Sequence, residues 1–563
     1  MPRRPTDDKP PRRPKSGPRK PAGGRAAPSA SAPARAPARA SGHGPDRDER
    51  RPSARPSARP SAHPAGRTDG PRSHPQEGRD RGRDDRRDDR RSDERRGDSR
   101  SGKPHGKPYG KPGGKFAGKP PAAKEERRTP LRPGSSRKVV EAAMTLLDAI
   151  AESGEPADRI RHAWMREHHR RFEPAERTAL MQISEDVLRM QGRLDWWLAG
   201  SAEYPSGLAP DNRLRVAALR ILSGGAKAKG LLAFFDADEK VAIDLLQRLE
   251  GHTLEHPHMP TAARFSVPDW ILPYLEARFG ADLEMELAAM LRPAPLDVRI
   301  NPLKTTRDAA AAALAAEELR SQPTPFSPLG LRLSPLAYVN NTKAYGQGLV
   351  EPQDEGSQLA AQLVEAAGCK FVADFCAGAG GKTLVLAAAM KNGGRLVAMD
   401  VSTGRLTQAK LRLRRAGAHN AECREIDAKW LKRHAGQADR VLVDAPCTGT
   451  GTWRRKPDAK WRLTPQDLAE LVPRQAEILE RAAKLVKTGG RLVYVTCSVL
   501  REENEDQVAA FLQRHPEFSV LSVSDVWPRA VGGACPVPGP YLSLSPGRHG
   551  TDGFFAAILV RSA

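Results

Sequence analysis

The chain has 563 residues, enough for two or three domains, and its formal net charge is +24. Its 6 cysteines are dispersed and form no Cys-x-x-Cys pair, which argues against a disulfide framework and predicts no metal site. No apolar run approaches the roughly 18 residues of a membrane span, and the N-terminus lacks the apolar core of a signal peptide. We therefore expect a cytoplasmic monomer without a membrane partner.

Residues 1–134 are predicted to be a disordered basic tail. Residues 1–130 hold 36 Lys and Arg but only 17 Asp and Glu, so most of the basic excess lies here. The Pro-, Arg- and Gly-rich repeats leave too little apolar surface to offset the entropy cost of ordering. The composition fits an arm that holds RNA by charge, and it fits a solubilising extension equally well.

A helical domain is predicted over residues 136–255. Apolar residues recur there every three or four positions, as in helices that bury one face. There are four such stripes, and each must be buried against another helix, which favours a helical bundle. The stripes are Val140, Ala143, Leu147 and Ile150; Leu180, Ile183, Val187, Met190, Leu194 and Trp197; Leu214, Ala218, Ile221 and Leu222; and Val241, Leu245 and Leu249.

Residues 260–348 are predicted to form a small α+β module. A helical stretch reaches from Pro268 to Leu291, a strand covers the start of Leu296–Lys304, an Ala-rich helix ends near Leu319, and a second strand covers Gly330–Leu333. A phosphate could be held at or beyond the end of the first strand, by Arg299, Asn301 and Lys304.

Strands and helices alternate from residue 349 to 563. This alternation predicts an open, mainly parallel sheet with its ligands at the carboxyl ends of the strands. The expected strands are Phe371–Phe375, Arg395–Asp400, a short strand ending at Asp427, Val441–Asp444, Leu492–Thr496 and Gly553–Val560.

A glycine-rich turn follows the first of these strands. The turn, Cys376–Thr383, fits neither a Walker loop nor a dinucleotide motif, because Cys376 and Thr383 stand where those motifs need Gly. It still lets a ligand approach the backbone, while Asp400 suits a ribose diol and Asp427 an adenine amino group. An adenosine without a demanding phosphate site is expected, and S-adenosylmethionine fits. The predicted cofactor residues are Cys376, Ala377, Gly378, Ala379, Gly380, Gly381, Lys382, Asp400, Arg405, Asp427 and Asp444.

Two thiols stand at the carboxyl ends of predicted strands. Cys447 lies three residues after Asp444, and Cys497 directly follows Thr496. Such placement is unusual in a chain with 6 cysteines and indicates chemistry. The other reading of a lone cysteine, a small buried hydrophobe, is expected for Cys369, Cys423 and Cys535.

The segment Thr448–Leu463 interleaves cations with aromatic side chains. Single-stranded nucleic acid is held in this way, with phosphates bound by charge and bases by stacking. The segment is predicted to contact RNA, although one of its tryptophans could pack beneath it. The residues concerned are Trp453, Arg454, Arg455, Lys456, Lys460, Trp461 and Arg462.

Together, these motifs resemble the RsmB/Nop/Sun family of RNA cytosine-5 methyltransferases from about residue 260 to 563. One departure is Ala379, where the family more often has Pro. Gly192–Trp196 resembles part of the NusB-like domain that precedes the catalytic part in the RsmB branch. The matching motifs are Asp374–Thr383, Asp444–Gly451, Arg455–Arg462 and Thr496–Ser498, with Arg299–Pro302 and Thr551–Phe555 in support.

The resemblance implies an α/β fold with a Rossmann-like S-adenosylmethionine-dependent methyltransferase domain, preceded by a NusB-like domain, the α+β module and the tail. It implies that Cys497 adds to carbon-6 of cytosine, so that carbon-5 can attack the sulfonium methyl group. Cys447 would then help to remove the carbon-5 proton and to break the adduct. Asp444 would hold the polar edge of the base.

The NusB-like domain favours small-subunit ribosomal RNA as the substrate. The same reaction on transfer RNA is the nearest alternative. DNA methylation fits less well, because DNA enzymes use the Pro-Cys thiol as the nucleophile. A non-catalytic RNA-binding or ribosome-assembly factor is the alternative from another class, and the intact Asp400, Asp444, Cys447 and Cys497 argue against it.

Overall fold

The computed structural model describes residues 136–199, 208–334 and 337–562. The predicted tail, residues 1–134, lies outside these ranges. Within them, no helix is long and apolar enough to cross a membrane.

The first part of the described chain is a helical bundle. Here α3 packs against both α1 and α4, and the apolar stripes predicted for these three helices are buried. The fourth stripe was wrong at Val241, which is 53% exposed. On that helix the buried face is Ala242, Leu245, Leu246 and Leu249, so Val241 points away from it. The helices are α1 (Arg137–Ser153), α2 (Ala157–His168), α3 (Pro174–Ala199), α4 (Asn212–Gly224) and α5 (Lys240–Arg248).

Three further helices lead into a small antiparallel sheet. The helical stretch predicted up to Leu291 is broken at Gly280. The φ of Gly280 is 51°, a positive value that glycine adopts without steric strain. The sheet has the order β2-β3-β1-β4 and reaches past residue 348, where the sequence predicted the module to end. Its elements are α6 (Thr261–Arg264), α7 (Leu272–Phe279), α8 (Leu283–Leu291), β1 (Leu296–Ile300), α9 (Arg307–Ala315), β2 (Ser321–Pro323), β3 (Gly330–Leu333), α10 (Lys343–Gly346) and β4 (Val350–Pro352).

The phosphate site suggested at the end of β1 was wrong, because its three polar residues are occupied within the protein. Arg299 is buried and donates to Gln353 at 2.7 Å. Asn301 donates to the carbonyl oxygens of Gly348 and Ala416, both at 2.8 Å. Lys304 donates to two further carbonyls, one of which belongs to Arg415. These residues attach the small sheet to its neighbour.

The larger sheet has eight strands in the order β10-β12-β9-β8-β5-β6-β7, and β11 pairs with β12. Strands β5 to β9 are parallel and the last three are antiparallel, which confirms the predicted, mainly parallel sheet. The strands are β5 (Phe371–Asp374), β6 (Arg395–Asp400), β7 (Ala421–Glu425), β8 (Ala438–Asp444), β9 (Val486–Thr496), β10 (Phe518–Leu521), β11 (Leu542–Leu544) and β12 (Phe554–Arg561).

Helices cover both faces of this sheet, and successive strand residues enter different cores. Leu442 and Val493 lie in one apolar cluster, whereas Val441 and Tyr494 lie in the other, as the two-residue period of a strand requires. The helices are α11 (Glu355–Gln362), α12 (Gly381–Ala389), α13 (Thr403–Ala416), α14 (Ala428–Arg433), α15 (Ala459–Arg462), α16 (Pro465–Ala483), α17 (Glu505–Arg514), α18 (Val523–Ala530) and α19 (Pro546–His549).

The strand order reverses at β5. From there the chain moves outward through β6 and β7, and it then returns to the other side of β5 with β8 and β9. Ligands of open α/β sheets bind at the carboxyl ends of the strands beside such a reversal. The topology is that of a Rossmann-like sheet, and it directs attention to the ends of β5, β6, β8 and β9.

Candidate active site

The glycine turn after β5 has the backbone geometry that its sequence requires. Gly378 has a φ of +55° and Gly380 a φ of +82°, both in the left-handed region. The carbonyl oxygen of Ala379 accepts a hydrogen bond from Arg412 at 2.7 Å, so the turn is fixed although the family's proline is missing. A Cβ atom added to Gly378 would meet no described atom within 4 Å. The turn therefore borders open space, as a ligand cradle does.

Asp400 connects the end of β6 to this turn. Its two carboxylate oxygens accept the backbone N–H groups of Gly378 at 2.9 Å and Ser402 at 2.8 Å. Each oxygen keeps a second lone pair, which a ribose diol could use. The next residue, Val401, is 78% exposed, an apolar surface beside a polar one. Sequence reasoning missed Val401, which nothing but its position after Asp400 distinguishes.

Two other predicted cofactor residues are more exposed. Arg405 lies 4.0 Å from Asp400, and its side chain is 66% exposed. Asp427 is exposed and caps α14 by accepting the N–H groups of Lys429 and Trp430. Its carboxylate keeps lone pairs for a ligand while it performs this structural role.

Lys382 joins the cofactor side of the site to the thiol side. It is nearly buried, its ammonium group lies 2.8 Å from a carboxylate oxygen of Asp444, and it sits over the ring of Phe554. Asp444 ends β8 next to the end of β9, because the two strands pair in parallel at Asp444 and Val495. The side chain of Asp444 is one-third exposed and is therefore accessible to a ligand.

The two thiols predicted to cooperate lie together. The Sγ atoms of Cys447 and Cys497 are 3.5 Å apart, although 50 residues separate them in the chain. Gly449, with a φ of +68°, lets its loop fold close to Cys497. Cys369, Cys423 and Cys535, predicted to be small buried hydrophobes, are partly buried and pack against the apolar core, as Cys497 also does.

Two thiols of the site, those of Cys447 and Cys376, have raised pKa values. A hydrogen bond with Cys497, burial and the charge of Glu503 raise the pKa of Cys447 well above its usual range. Burial and the carboxylates of Asp374, Asp444 and Asp400 likewise raise the pKa of Cys376. Both thiols therefore hold their protons at neutral pH, and Cys376 is a poor nucleophile.

A buried polar network that the sequence did not reveal lies beneath the two turns that carry Cys447 and Cys497, called the thiol turns below. Glu503 is fully buried and accepts three hydrogen bonds, two from Thr448 and one from Gln475. The hydroxyl groups of Thr448 and Thr450 lie 3.2 and 3.0 Å from that of Ser498. In the sequence, no local pattern separates Glu503 from its neighbour Glu502.

The prediction that Thr448–Leu463 contacts RNA was wrong for most of its residues. Trp453, Arg454 and Lys460 are buried, and Lys460 donates to the carbonyl oxygen of Arg189 at 3.1 Å. Burial and the charges of Arg189 and Arg193 lower the pKa of Lys460 well below its usual range. Lys460 and Trp461 turn inward because they pack against the helical bundle, whereas Trp453 packs into the apolar cluster built around α7 and α8.

Arg455 of the same segment belongs to an internal ion cluster. It contacts Asp552 at 2.5 Å and Asp354 at 2.9 Å, and it donates to the carbonyl oxygen of Pro295 at 3.0 Å. Arg454 contacts the second carboxylate oxygen of Asp552 at 3.1 Å. Only Lys456 and Arg462 of the predicted RNA-contacting residues are exposed.

A set of three or more His, Cys, Asp or Glu side chains suited to a metal ion does not occur in the described ranges. The polar groups at the site are instead backbone N–H groups and one ammonium group, which donate, and carboxylates, which accept. They fit an uncharged ribose and purine with an amino-acid tail.

Two family models match the chain. Residues 361–560 match the model described as 16S rRNA methyltransferase RsmB/F, and residues 267–339 match the RsmF/B-like ferredoxin-like domain. The second match covers α7, α8 and most of the small sheet. The first covers the glycine turn, both thiols and the network beneath them.

Curated relatives and a solved structure agree with these matches. A probable ribosomal RNA small subunit methyltransferase B of Synechocystis is 31% identical over 69% of this chain and 92% of its own. The ribosomal RNA small subunit methyltransferase B of Salmonella newport is 34% identical over 55% of this chain and 70% of its own. The crystal structure of PH0851 superposes with a TM-score of 0.62 and 26% identity, covering 75% of this chain and 98% of its own.

The Rossmann-like sheet, the open glycine turn and the relatives lead to the same assignment. S-adenosylmethionine is the cofactor, as the sequence predicted. The chain belongs to the RsmB/F family of methyltransferases.

Proposed function

We propose that this methyltransferase modifies carbon-5 of a cytosine in RNA through a covalent cysteine adduct. The observation that carries the proposal is the 3.5 Å distance between the Sγ atoms of Cys447 and Cys497. They lie at the ends of adjacent parallel strands, beside the carboxylate of Asp444. Transfer of a methyl group to oxygen or nitrogen would require no second thiol.

The reaction begins at Cys497. Its thiolate adds to carbon-6 of the cytosine, and the electron pair of the ring double bond moves to carbon-5. Asp444 accepts hydrogen bonds from the polar edge of the base and holds it in place. Bound S-adenosylmethionine supplies an electrophilic methyl group to the activated carbon-5.

Cys447 acts in the second half of the reaction. Once Cys497 is bonded to carbon-6 it carries no charge, so Cys447 at 3.5 Å can release its proton to solvent and accept the carbon-5 proton as a thiolate. The electron pair of that carbon–hydrogen bond re-forms the ring double bond, and the bond between carbon-6 and Cys497 breaks to return the Cys497 thiolate. Two thiolates 3.5 Å apart would repel each other strongly, so one of the pair must keep its proton. The buried carboxylate of Glu503, which accepts two hydrogen bonds from Thr448 next to Cys447, favours Cys447 as the protonated one.

The ends of β5 and β6 would hold the cofactor. The turn Cys376–Gly381 would let it approach the backbone, Asp400 would accept the ribose hydroxyl groups, and Val401 would pack on the purine. Arg405 and Asp427 would border the adenosine, and Asp427 would accept its amino group. Lys382 fixes Asp444 between the cofactor and the base.

The proposed substrate is small-subunit ribosomal RNA, for which the relatives from Synechocystis and Salmonella are named. The helices of residues 136–255 are proposed to be a NusB-like RNA-binding domain. Exposed Arg170 and Arg171, just after α2, supply charge for phosphates. The α+β module positions the RNA, and the enzyme acts as a monomer in the cytoplasm, where its substrate is made.

Variants of the thiols test the mechanism. Purified protein is incubated with RNA and S-adenosylmethionine, and adducts are resolved on denaturing gels. We expect Cys497→Ala to form no adduct and Cys447→Ala to accumulate it, whereas Cys535→Ala should behave as the wild type. Methylation by Cys497→Ala, together with no adduct in Cys447→Ala, would overturn the assignment.

Bisulfite sequencing of total RNA from a deletion strain tests the substrate. Loss of one protected cytosine in small-subunit ribosomal RNA is expected, and re-expression of the wild type should restore it. A loss confined to transfer RNA would identify the alternative substrate. No change in any RNA, with no consumption of S-adenosylmethionine, would favour an assembly factor.

A further inference from the structure

The carboxylate of Glu503 lies directly beneath the turn that carries Cys447. One oxygen accepts the backbone N–H of Thr448 at 2.8 Å, and the other accepts the Thr448 hydroxyl at 2.5 Å. Gln475 donates one N–H group to the first oxygen at 2.9 Å and to the carbonyl of Pro446 at 3.0 Å. All the partners of this carboxylate are donors, as an ionised carboxylate requires. The turn from Pro446 to Thr448 is thus held from below at both ends.

The same residue is connected to the strand that carries Cys497. The hydroxyl group of Tyr494, on β9, donates to the backbone carbonyl of Glu503 at 2.7 Å. Thr448 also reaches the hydroxyl of Ser498, the residue after Cys497, at 3.2 Å. The backbone N–H of Gly451 donates to the carbonyl of Cys497 at 2.9 Å. The two thiol turns are therefore tied into one rigid unit, with Glu503 as its charged member.

A buried negative charge has a direct electrostatic effect on a neighbouring thiol. It disfavours the thiolate, because two like charges in a poorly solvated site repel each other. Cys497, Glu503 and Tyr494 are the titratable groups that interact with Cys447. Lys382, the nearby cation of the site, is paired with Asp444.

We propose that Glu503 is a positioning residue that fixes the Cys447 turn and keeps the proton on the Cys447 thiol, so that only Cys497 acts as the nucleophile. The inference rests on the proposed function, since it explains why two adjacent thiols have different roles. It concerns a residue that contacts neither the substrate nor the cofactor and acts through Cys447.

The test measures the proton on Cys447 without catalysis. The full chain carrying Cys497→Ala is alkylated with iodoacetamide across a pH series, and mass spectrometry quantifies the peptide that contains Cys447. The same series is run with Glu503→Gln added. Glutamine fits the site, because its oxygen can accept from Thr448 N–H and its amide can donate to the Thr448 hydroxyl. We expect the midpoint of alkylation to fall by about one pH unit or more, since the repelling charge is gone.

Glu502→Gln in the same background is the matched control, and its midpoint should equal that of Cys497→Ala alone. A midpoint unchanged by Glu503→Gln would overturn the proposal. Circular dichroism of each variant shows whether it has unfolded. If Glu503→Gln has unfolded, Glu503→Asp is measured in its place. It moves the charge one methylene away, so under the proposal the midpoint of alkylation must fall measurably.

These results do not depend on which thiol attacks the base, because neither RNA nor S-adenosylmethionine is present. A shifted midpoint together with a failed adduct assay would refute the proposed function and leave the role of Glu503 intact. An unshifted midpoint together with the expected adducts would refute the role of Glu503 and leave the proposed function intact.

Discussion

The indole N–H of Trp461 donates to the backbone carbonyl of Leu188 at 2.8 Å and so attaches α15 to α3. A second bond runs from the backbone N–H of Ala157 to Asp458 at 3.0 Å. Both contacts join the helical bundle to the segment that follows Cys447. The bundle is therefore packed against the loop that continues from the candidate catalytic thiol.

Gly192 on α3 should be sensitive to any side chain. A Cβ atom there would lie 2.8 Å from the Cα of Ser266 and 3.2 Å from the Trp461 ring. We expect Gly192→Ala to destabilise the protein by about 1–3 kcal/mol through overpacking. Gly224→Ala is the control, because it is also helical and its added Cβ meets no described atom within 4 Å. Thermal unfolding measures both, and equal melting temperatures would contradict the close contact.

Arg455 should matter for folding rather than for RNA affinity. Its removal leaves the buried carboxylates of Asp552 and Asp354 without their main partner, and breaking such a buried pair costs about 3–5 kcal/mol. We expect Arg455→Ala to lose that much free energy of unfolding in urea titrations. Lys456→Ala, at the exposed neighbouring position, should change it by less than about 0.5 kcal/mol. A stable Arg455→Ala with weakened RNA binding would restore the original prediction.

Asp374 should make stability depend on pH. Burial raises the pKa of its carboxyl from 3.8 to about 7, and one of its oxygens has no hydrogen-bond partner in the described structure. The folded state thus keeps a proton that the unfolded state loses above pH 4, so stability falls as the pH rises from about 4 to 7. Between pH 5 and 7.5 the wild type should lose on the order of 2 kcal/mol relative to Asp374→Asn. Chemical unfolding at the two pH values measures this, and parallel changes in both proteins would contradict it.

Asp400 and Asp427 should differ in their contribution to cofactor binding. Asp400 is buried against the glycine turn, so Asp400→Asn removes a charged acceptor from a poorly solvated position and should weaken S-adenosylmethionine binding about tenfold or more. Asp427 is exposed, and asparagine also caps a helix, so Asp427→Asn should have a smaller effect. Isothermal titration calorimetry compares them, and a larger loss for Asp427→Asn would reverse the assignment.

The sequence predicted the strand ends of the large sheet because their chemistry is local. A buried strand needs continuous apolar residues, and the acids and thiols that interrupt the run mark its carboxyl end, as at Asp400 and Cys497. Parallel topology then brings these ends together without further information. The 3.5 Å contact between the thiols follows from two strands that are adjacent in the sheet.

The failures concern residues whose partners lie far away in the chain. Lys460 and Arg455 look like RNA contacts because charge usually signals exposure, but distant partners bury them, Arg189 in one case and Asp552 in the other. Glu503 looks like one of several acids between a strand and a helix. Burial of a charged side chain depends on tertiary pairing, which no local period encodes.

The packing of α15 against α3 limits how this enzyme can be divided. A fragment without the helical bundle would bring Trp461 into water and remove the carbonyl that receives the Lys460 ammonium group. The segment that follows Cys447 would also lose the helices that pack against it. The helical bundle and the domain that contains the large sheet are therefore not independent modules joined by a linker. The bundle stabilises the segment next to the candidate active site.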